Sequence, residues 1–170
     1  MPPLLGILGH TPVWVWVLLA VLVFLGVLSL RTRTVMVWRL MIVPGVFIIW
    51  GLVSIGLRIT AAPALFVDWL AGAALGFALA WGTTRLRGMV VERAVGSVRL
   101  PGSSAPLLRN LAIFLAKYCL AVAIAVAPVR AGMLQHWDIV VSGFGAGYFA
   151  GWLVRFALRY RSAPLPAMAR

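Results

Sequence analysis

Long runs of apolar residues alternate along this chain with short segments that contain arginine, proline or glycine. A run of about 20 apolar residues is long enough to cross the hydrocarbon core of a bilayer as a helix. The runs predict transmembrane helices at residues 13–30, 40–57, 64–83, 107–127 and 138–158. The pattern therefore predicts an all-α membrane protein with five transmembrane helices, in which residues 1–170 form a single transmembrane helical domain.

The polar segments between these runs predict the remaining elements. Thr11 and Pro12 are typical of a helix N-terminus, where a threonine caps the helix and a proline fits the first turn. The longest polar segment, residues 86–106, contains two short stretches rich in valine, which predict a small amphipathic β-hairpin at the membrane surface. Residues 129–137 are expected to form a loop before the fifth helix.

Composition strengthens the membrane assignment. Hydrophobic residues make up 64% of the chain and charged residues 11%, and the mean hydropathy is +1.06. Soluble domains are about half apolar and about a quarter charged. The first apolar run lacks the preceding positive charge of a secretory signal peptide, so we expect it to remain in the protein. The single cysteine, Cys119, lies within a predicted span and excludes an intrachain disulfide.

The distribution of basic residues predicts the orientation. With five crossings, one side of the membrane carries twelve arginines and the other side carries Arg58 and Arg130. The twelve are Arg31, Arg33, Arg39, Arg85, Arg87, Arg93, Arg99, Arg109, Arg155, Arg159, Arg161 and Arg170. Because loops rich in arginine and lysine stay in the cytoplasm, the N-terminus is predicted outside and the C-terminus inside.

The net charge of +12 does not indicate nucleic-acid binding, because the arginines flank apolar spans and form no basic surface with aromatic residues. We expect them to orient the helices and to contact anionic lipids at the cytoplasmic face. The preference for arginine over lysine, with abundant alanine, glycine and valine, is typical of a GC-rich bacterial genome. These features predict a multi-pass protein of the bacterial cytoplasmic (inner) membrane.

One basic residue lies inside a predicted span and is the main functional pointer in the sequence. Lys117, the only lysine of the chain, is near the middle of residues 107–127. A cation at that depth costs about 3 kcal/mol on insertion scales. Asn110 lies on the same helical face, and Asp68 on the preceding span is in reach if the two spans are neighbours. Lys117, Asp68 and Asn110 are therefore predicted to form an intramembrane polar site.

Three interpretations of this site remain open. The first is a polar cavity for the translocation or sensing of a small solute or ion. The second is a buried ion pair that sets the register of two helices and does nothing further. The third is that the Lys117 side chain extends to the membrane boundary and binds lipid phosphate.

Small residues recur every four positions in two of the spans. Gly143, Gly147 and Gly151 form a ridge on the fifth span, and Gly72 and Gly76 repeat this spacing on the third. Such ridges let helices approach closely and gain dispersion contacts. They predict close packing within the chain or a subunit interface. The alternative function is therefore a structural or accessory membrane subunit, or a homo-oligomeric scaffold.

The two histidines, His10 and His136, are both predicted on the outer side of the membrane. Imidazole ligands suit haem iron and copper, so a haem or copper site there is a further alternative. Neither histidine lies within a span and the sequence has no CxxCH motif, so no cofactor and no metal are predicted. The sequence also lacks a glycine-rich phosphate loop, a zinc-ligand spacing and a nucleophile with a base nearby in sequence, and it does not indicate an enzyme.

Several local motifs together resemble one protein family. They are HTPVWVW at residues 10–16, the basic break after the first span, LPGS at residues 100–103, and Lys117-Tyr118 in the fourth span. The family consists of small uncharacterised bacterial inner-membrane proteins, and the likeness extends over most of the chain. Because that family has no assigned activity, the resemblance implies a location and a fold class, and it implies no catalytic or binding residues.

Overall fold

The structure is a computed structural model that describes residues 6, 9–59, 62–84, 86 and 88–163. Each of the five predicted spans corresponds to one α-helix within these residues. The helices are α1 (Val13–Leu28), α2 (Val37–Gly56), α3 (Ala64–Thr83), α4 (Ala105–Val126) and α5 (Ala131–Ser162). Arg85, Arg87 and Arg170, which contribute to the predicted orientation, lie outside the described residues.

Helix length separates α1 from the other four helices. The helices α2 to α5 are long and apolar enough to cross a membrane. Helix α1 has 16 residues, which corresponds to about 24 Å, and this is less than the hydrocarbon thickness of about 30 Å. The five helices of the prediction are confirmed, whereas five crossings and their orientation stay a prediction.

The predicted loop at residues 129–137 is wrong. A short 3₁₀ turn spans Pro128–Arg130, and α5 begins directly after it at Ala131. The residues that follow include good helix formers, such as Ala131, Met133 and Leu134, and no helix breaker other than a single glycine. The helix therefore starts well before the apolar run from which it was predicted.

A three-stranded antiparallel sheet lies outside the helices, with strands β1 (Arg33–Met36), β2 (Val90–Glu92) and β3 (Ser97–Leu100) in the order β1-β3-β2. Strands β2 and β3 are the predicted hairpin, and the residue before β3, Gly96, has the left-handed φ of 62° that favours glycine. Strand β1 was not predicted. It pairs with β3 through Val35 and Val98, which are far apart in sequence, so no local pattern signals the pairing.

The chain divides into two compact units. The first unit comprises residues 1–31 and 103–138, and α1 packs against α4 within it. The second unit comprises residues 32–102 and 139–170. Helix α5 therefore contributes its start to the first unit and its remaining, longer part to the second.

The second unit has an apolar cluster between the sheet and two helix ends. Val91 and Val98 of the sheet are buried together with Phe156 of α5, and Leu40 at the start of α2 packs against them. Leu86, shortly after α3, joins the same cluster. The start of α2 and the ends of α3 and α5 thus meet at one end of this unit. We call this end of the second unit the arginine-rich end. Its described arginines are Arg33, Arg39, Arg93, Arg99, Arg155, Arg159 and Arg161.

Candidate functional site

The candidate site lies in the first unit, where the chain reverses between α4 and α5. Lys117 precedes Pro128 by eleven residues and Asp138 follows it by ten. In a helical hairpin, residues at nearly equal distances from the turn lie opposite each other. The turn at Pro128–Arg130 therefore places these two oppositely charged side chains face to face.

Lys117 and Asp138 form an ion pair. The Lys117 ammonium donates a hydrogen bond to Oδ1 of the Asp138 carboxylate, and Nζ is also 3.4 Å from the backbone oxygen of Asp138. The two side chains are 20% and 9% exposed. A carboxylate and an ammonium that are removed from water stabilise each other's charged form, so the contact offsets part of the cost of holding Lys117 within the span.

The pair lies well inside both helices. Lys117 is nine residues before the end of α4, and Asp138 is seven residues after the start of α5. At a rise of 1.5 Å per residue, these positions are about 14 Å and about 10 Å from the helix ends. The Lys117 side chain reaches toward Asp138. Whether it also extends to the membrane boundary stays a prediction.

Tyr118, the residue after Lys117 on α4, takes part in a second polar contact of this unit. Tyr118 and Thr11 share a hydrogen bond of 2.9 Å, in which either hydroxyl is able to donate, and the Tyr118 ring stacks on Phe114. This contact joins the segment before α1 to the middle of α4. The sequence predicts that Thr11 caps α1. In the structure α1 begins at Val13 without a side-chain cap, and the Thr11 hydroxyl bonds to Tyr118.

The other two residues of the predicted site take different positions. Asn110, two turns before Lys117 on α4, is 3% exposed, and its Oδ1 accepts a hydrogen bond of 3.1 Å from Arg109 Nε. Asp68 lies on α3 in the second unit, and its pairing with Lys117 stays a prediction. Sequence reasoning missed Asp138 as a partner because it set the start of the fifth span at that residue, whereas α5 begins seven residues earlier at Ala131. Counting outward from Pro128 would have found it.

The predicted glycine ridge lies in the second unit and faces α3 of the same chain. A Cβ added to Gly147 would come within 2.6 Å of the backbone of Ala73, and one added to Gly143 within 2.9 Å of Trp69. Gly151 is similarly close to Phe77. The glycines of α3 meet α5 in the same way, Gly76 against Tyr148 and Gly72 against Phe144.

Both predicted histidines occupy exposed positions. His10 is exposed, and its Nδ1 is 2.7 Å from the backbone oxygen of Gly6. His136 is exposed on the second turn of α5. Within the described residues, no group of three or more histidine, cysteine, aspartate or glutamate side chains is placed to hold a metal ion. The haem or copper alternative, which uses two histidines, stays a prediction.

Four apolar helices of membrane-spanning length, a small sheet and an ion pair between two helices define a helical membrane protein with a buried charged site. The chain belongs to a family of unknown function, DUF6622, whose model matches residues 2–165. This match confirms the expected membership in an uncharacterised family. No curated protein and no solved structure matches the chain.

Proposed function

We propose that this protein conducts or senses a small ion at the Lys117–Asp138 pair. The observation that carries the proposal is the position of the pair: two opposite charges in contact, about 10–14 Å inside helices of apolar sequence. Charged side chains are rare in membrane spans and, where they occur, usually mark ion or substrate pathways.

The surroundings of the pair support this role. The Lys117 side chain keeps one-fifth of its surface exposed, so it is not fully enclosed by the described residues. Tyr118, whose hydroxyl is hydrogen-bonded to that of Thr11, is the next residue of α4. An arriving anion competes with Asp138 for the ammonium, and an arriving cation competes with Lys117 for the carboxylate. Either exchange opens the pair and frees the displaced side chain to take a new partner.

The setting of this activity is part of the proposal. We place the protein in the bacterial inner membrane, with the arginine-rich end in the cytoplasm among anionic lipids. The sheet supports this arrangement, because β1 precedes α2 and β2 follows α3, so two crossings bring the chain back to the same sheet. The glycine ridge is already covered by α3 of the same chain, so a homo-oligomer would use another surface.

Flux measurements in liposomes test the proposal. Purified protein is reconstituted, and proton flux is followed with pyranine, chloride flux with lucigenin and potassium conductance in planar bilayers. We expect flux above that of empty liposomes for at least one ion. Lys117→Met and Asp138→Asn should each reduce it at least about tenfold, which corresponds to about 1.4 kcal/mol at the barrier.

Two further variants separate the alternatives. Asp68→Asn removes the partner predicted from sequence and should leave the flux within about twofold of the wild type. The double variant Lys117→Met/Asp138→Leu replaces the ion pair by an apolar one, and a merely structural pair tolerates this change. If the double variant folds and its flux equals that of the wild type, the pair is structural. The accessory role would then be favoured.

A further inference from the structure

A cavity of about 910 Å³ lies at the arginine-rich end of the second unit. It is formed by the last residues of α3, the segment after it and the last turns of α5. Its lining includes Trp81, Thr84, Leu86, Arg155, Leu158 and Arg159. The cavity shares no residue with the Lys117–Asp138 site, so its function is independent of the function proposed above.

Two guanidinium groups supply the charge of the cavity. Arg155 lies against the face of Trp81, with its Cζ 5.2 Å from the ring centroid. Among the described residues, neither Arg155 nor Arg159 forms an ion pair with a carboxylate. Two positive charges one helical turn apart repel each other, and an anion between them removes that repulsion. The cavity therefore favours a negatively charged ligand.

The lining contains a buried hydroxyl group, that of Thr84. Thr84 is 9% exposed, and its Oγ1 is buried with no hydrogen-bond partner in the described part of the chain. Most buried polar side-chain atoms in folded proteins are hydrogen-bonded, so an exception calls for an explanation. A ligand oxygen in the cavity would satisfy this hydroxyl.

We propose that this cavity binds a phosphate group. Arginine suits the chemistry, because its planar guanidinium can donate two parallel hydrogen bonds to phosphate oxygens. The other walls fit a phosphate that carries an organic group: the indole of Trp81 is of the kind enriched at membrane interfaces, and Leu86 and Leu158 offer apolar surface. The phosphate comes either from the headgroup of an anionic lipid or from the aqueous phase.

Native mass spectrometry of the detergent-solubilised full chain, titrated with phosphatidylglycerol, tests the lipid source. The wild type should retain at least one lipid molecule, and Arg155→Gln/Arg159→Gln should weaken that binding about tenfold or more. The matched control is Arg39→Gln, which removes an arginine over Trp38 at the same end of the unit but outside the cavity. This control should bind as the wild type does.

A second arm tests the aqueous source. The thermal midpoint of the same samples is followed during titration with inorganic phosphate, with sulfate and chloride for comparison. A stabilisation by phosphate that the double variant lacks, together with no retained lipid, assigns the site to a free phosphate. Thr84→Val keeps the shape of the side chain and should weaken binding several-fold even if the double variant does not fold. Equal binding by wild type and Thr84→Val, or binding of neither ligand, overturns the proposal.

Discussion

The two compact units use different physical means to hold helices together. In the first, α4 and the start of α5 are joined by the charges of Lys117 and Asp138. In the second, α3 and the later part of α5 meet backbone to backbone at Gly76, Gly147 and Gly151. Lipid chains are as apolar as leucine, so burial of apolar side chains does not drive helices together in a bilayer. The ion pair and the glycine contacts supply the attraction between helices instead.

The difference shows which region is built for packing and which can respond to a ligand. A glycine contact depends on shape alone, and no ion can compete for it. A charge pair depends on a partner that another charge can replace. The glycine interface should therefore govern stability, whereas the ion pair should govern function and contribute less to stability.

The largest expected effect comes from a single methyl group at the glycine interface. Gly147→Ala places a Cβ within 2.6 Å of the Ala73 backbone, so α3 and α5 must move apart. We expect the free energy of unfolding to fall by about 3 kcal/mol, because an overpacked backbone contact cannot relax by changing a rotamer. Reversible unfolding in mixed micelles, followed by circular dichroism, measures the change.

Gly132→Ala on the same helix is the matched control. A Cβ there meets no atom within 4 Å, so the substitution should gain up to about 1 kcal/mol from the higher helix propensity of alanine. The two substitutions are chemically identical and should change stability in opposite directions. Equal effects would contradict the close packing of α3 and α5.

The sequence allowed the helices of both units to be predicted, but it did not reveal how the charges pair. Apolar runs identified α1 to α5, because length and hydropathy are local properties. The high cost of a buried cation identified Lys117 as the anomaly. Its contact with Asp138 depends on where α5 begins and on the turn at Pro128, and neither is encoded in the apolar pattern.

Strand β1 was missed for a related reason. Residues Arg33–Met36 were interpreted as a basic break between two spans, because four residues are too few for a clear strand pattern. Their pairing with Ser97–Leu100 depends on contacts between segments more than 60 residues apart. The hairpin of β2 and β3, whose strands are adjacent in sequence, was predictable.

An intermediate effect on stability is expected at the ion pair. Lys117→Met or Asp138→Leu alone leaves one charge without its partner inside the protein, whereas the double variant leaves none. We expect each single variant to lose about 2 kcal/mol of unfolding free energy and the double variant to recover most of that loss. The value is below that of a fully buried pair because Lys117 retains 20% exposure.

A double-mutant cycle in mixed micelles measures this coupling. The two single variants should together lose more unfolding free energy than the double variant loses, since each single variant includes the penalty of an unpaired charge. Strictly additive losses would mean that Lys117 and Asp138 act independently and would contradict the ion pair. Combined with the flux assay, the cycle separates stability from function, because an apolar replacement restores the former and cannot restore the latter.

The smallest effect is expected at the hydrogen bond between Tyr118 and Thr11, in the same unit as the ion pair. Tyr118→Phe removes one hydroxyl and keeps the ring that stacks on Phe114. Hydrogen bonds between membrane helices contribute about 0.6 kcal/mol on average, and we expect a loss of this size in unfolding free energy.

The control is Tyr160→Phe, which leaves the apolar contacts of that ring in place and should change stability less. A loss well above 1 kcal/mol for Tyr118→Phe would mean that the hydroxyl also supports the neighbouring charges, and that the first unit depends on a polar network rather than on one ion pair.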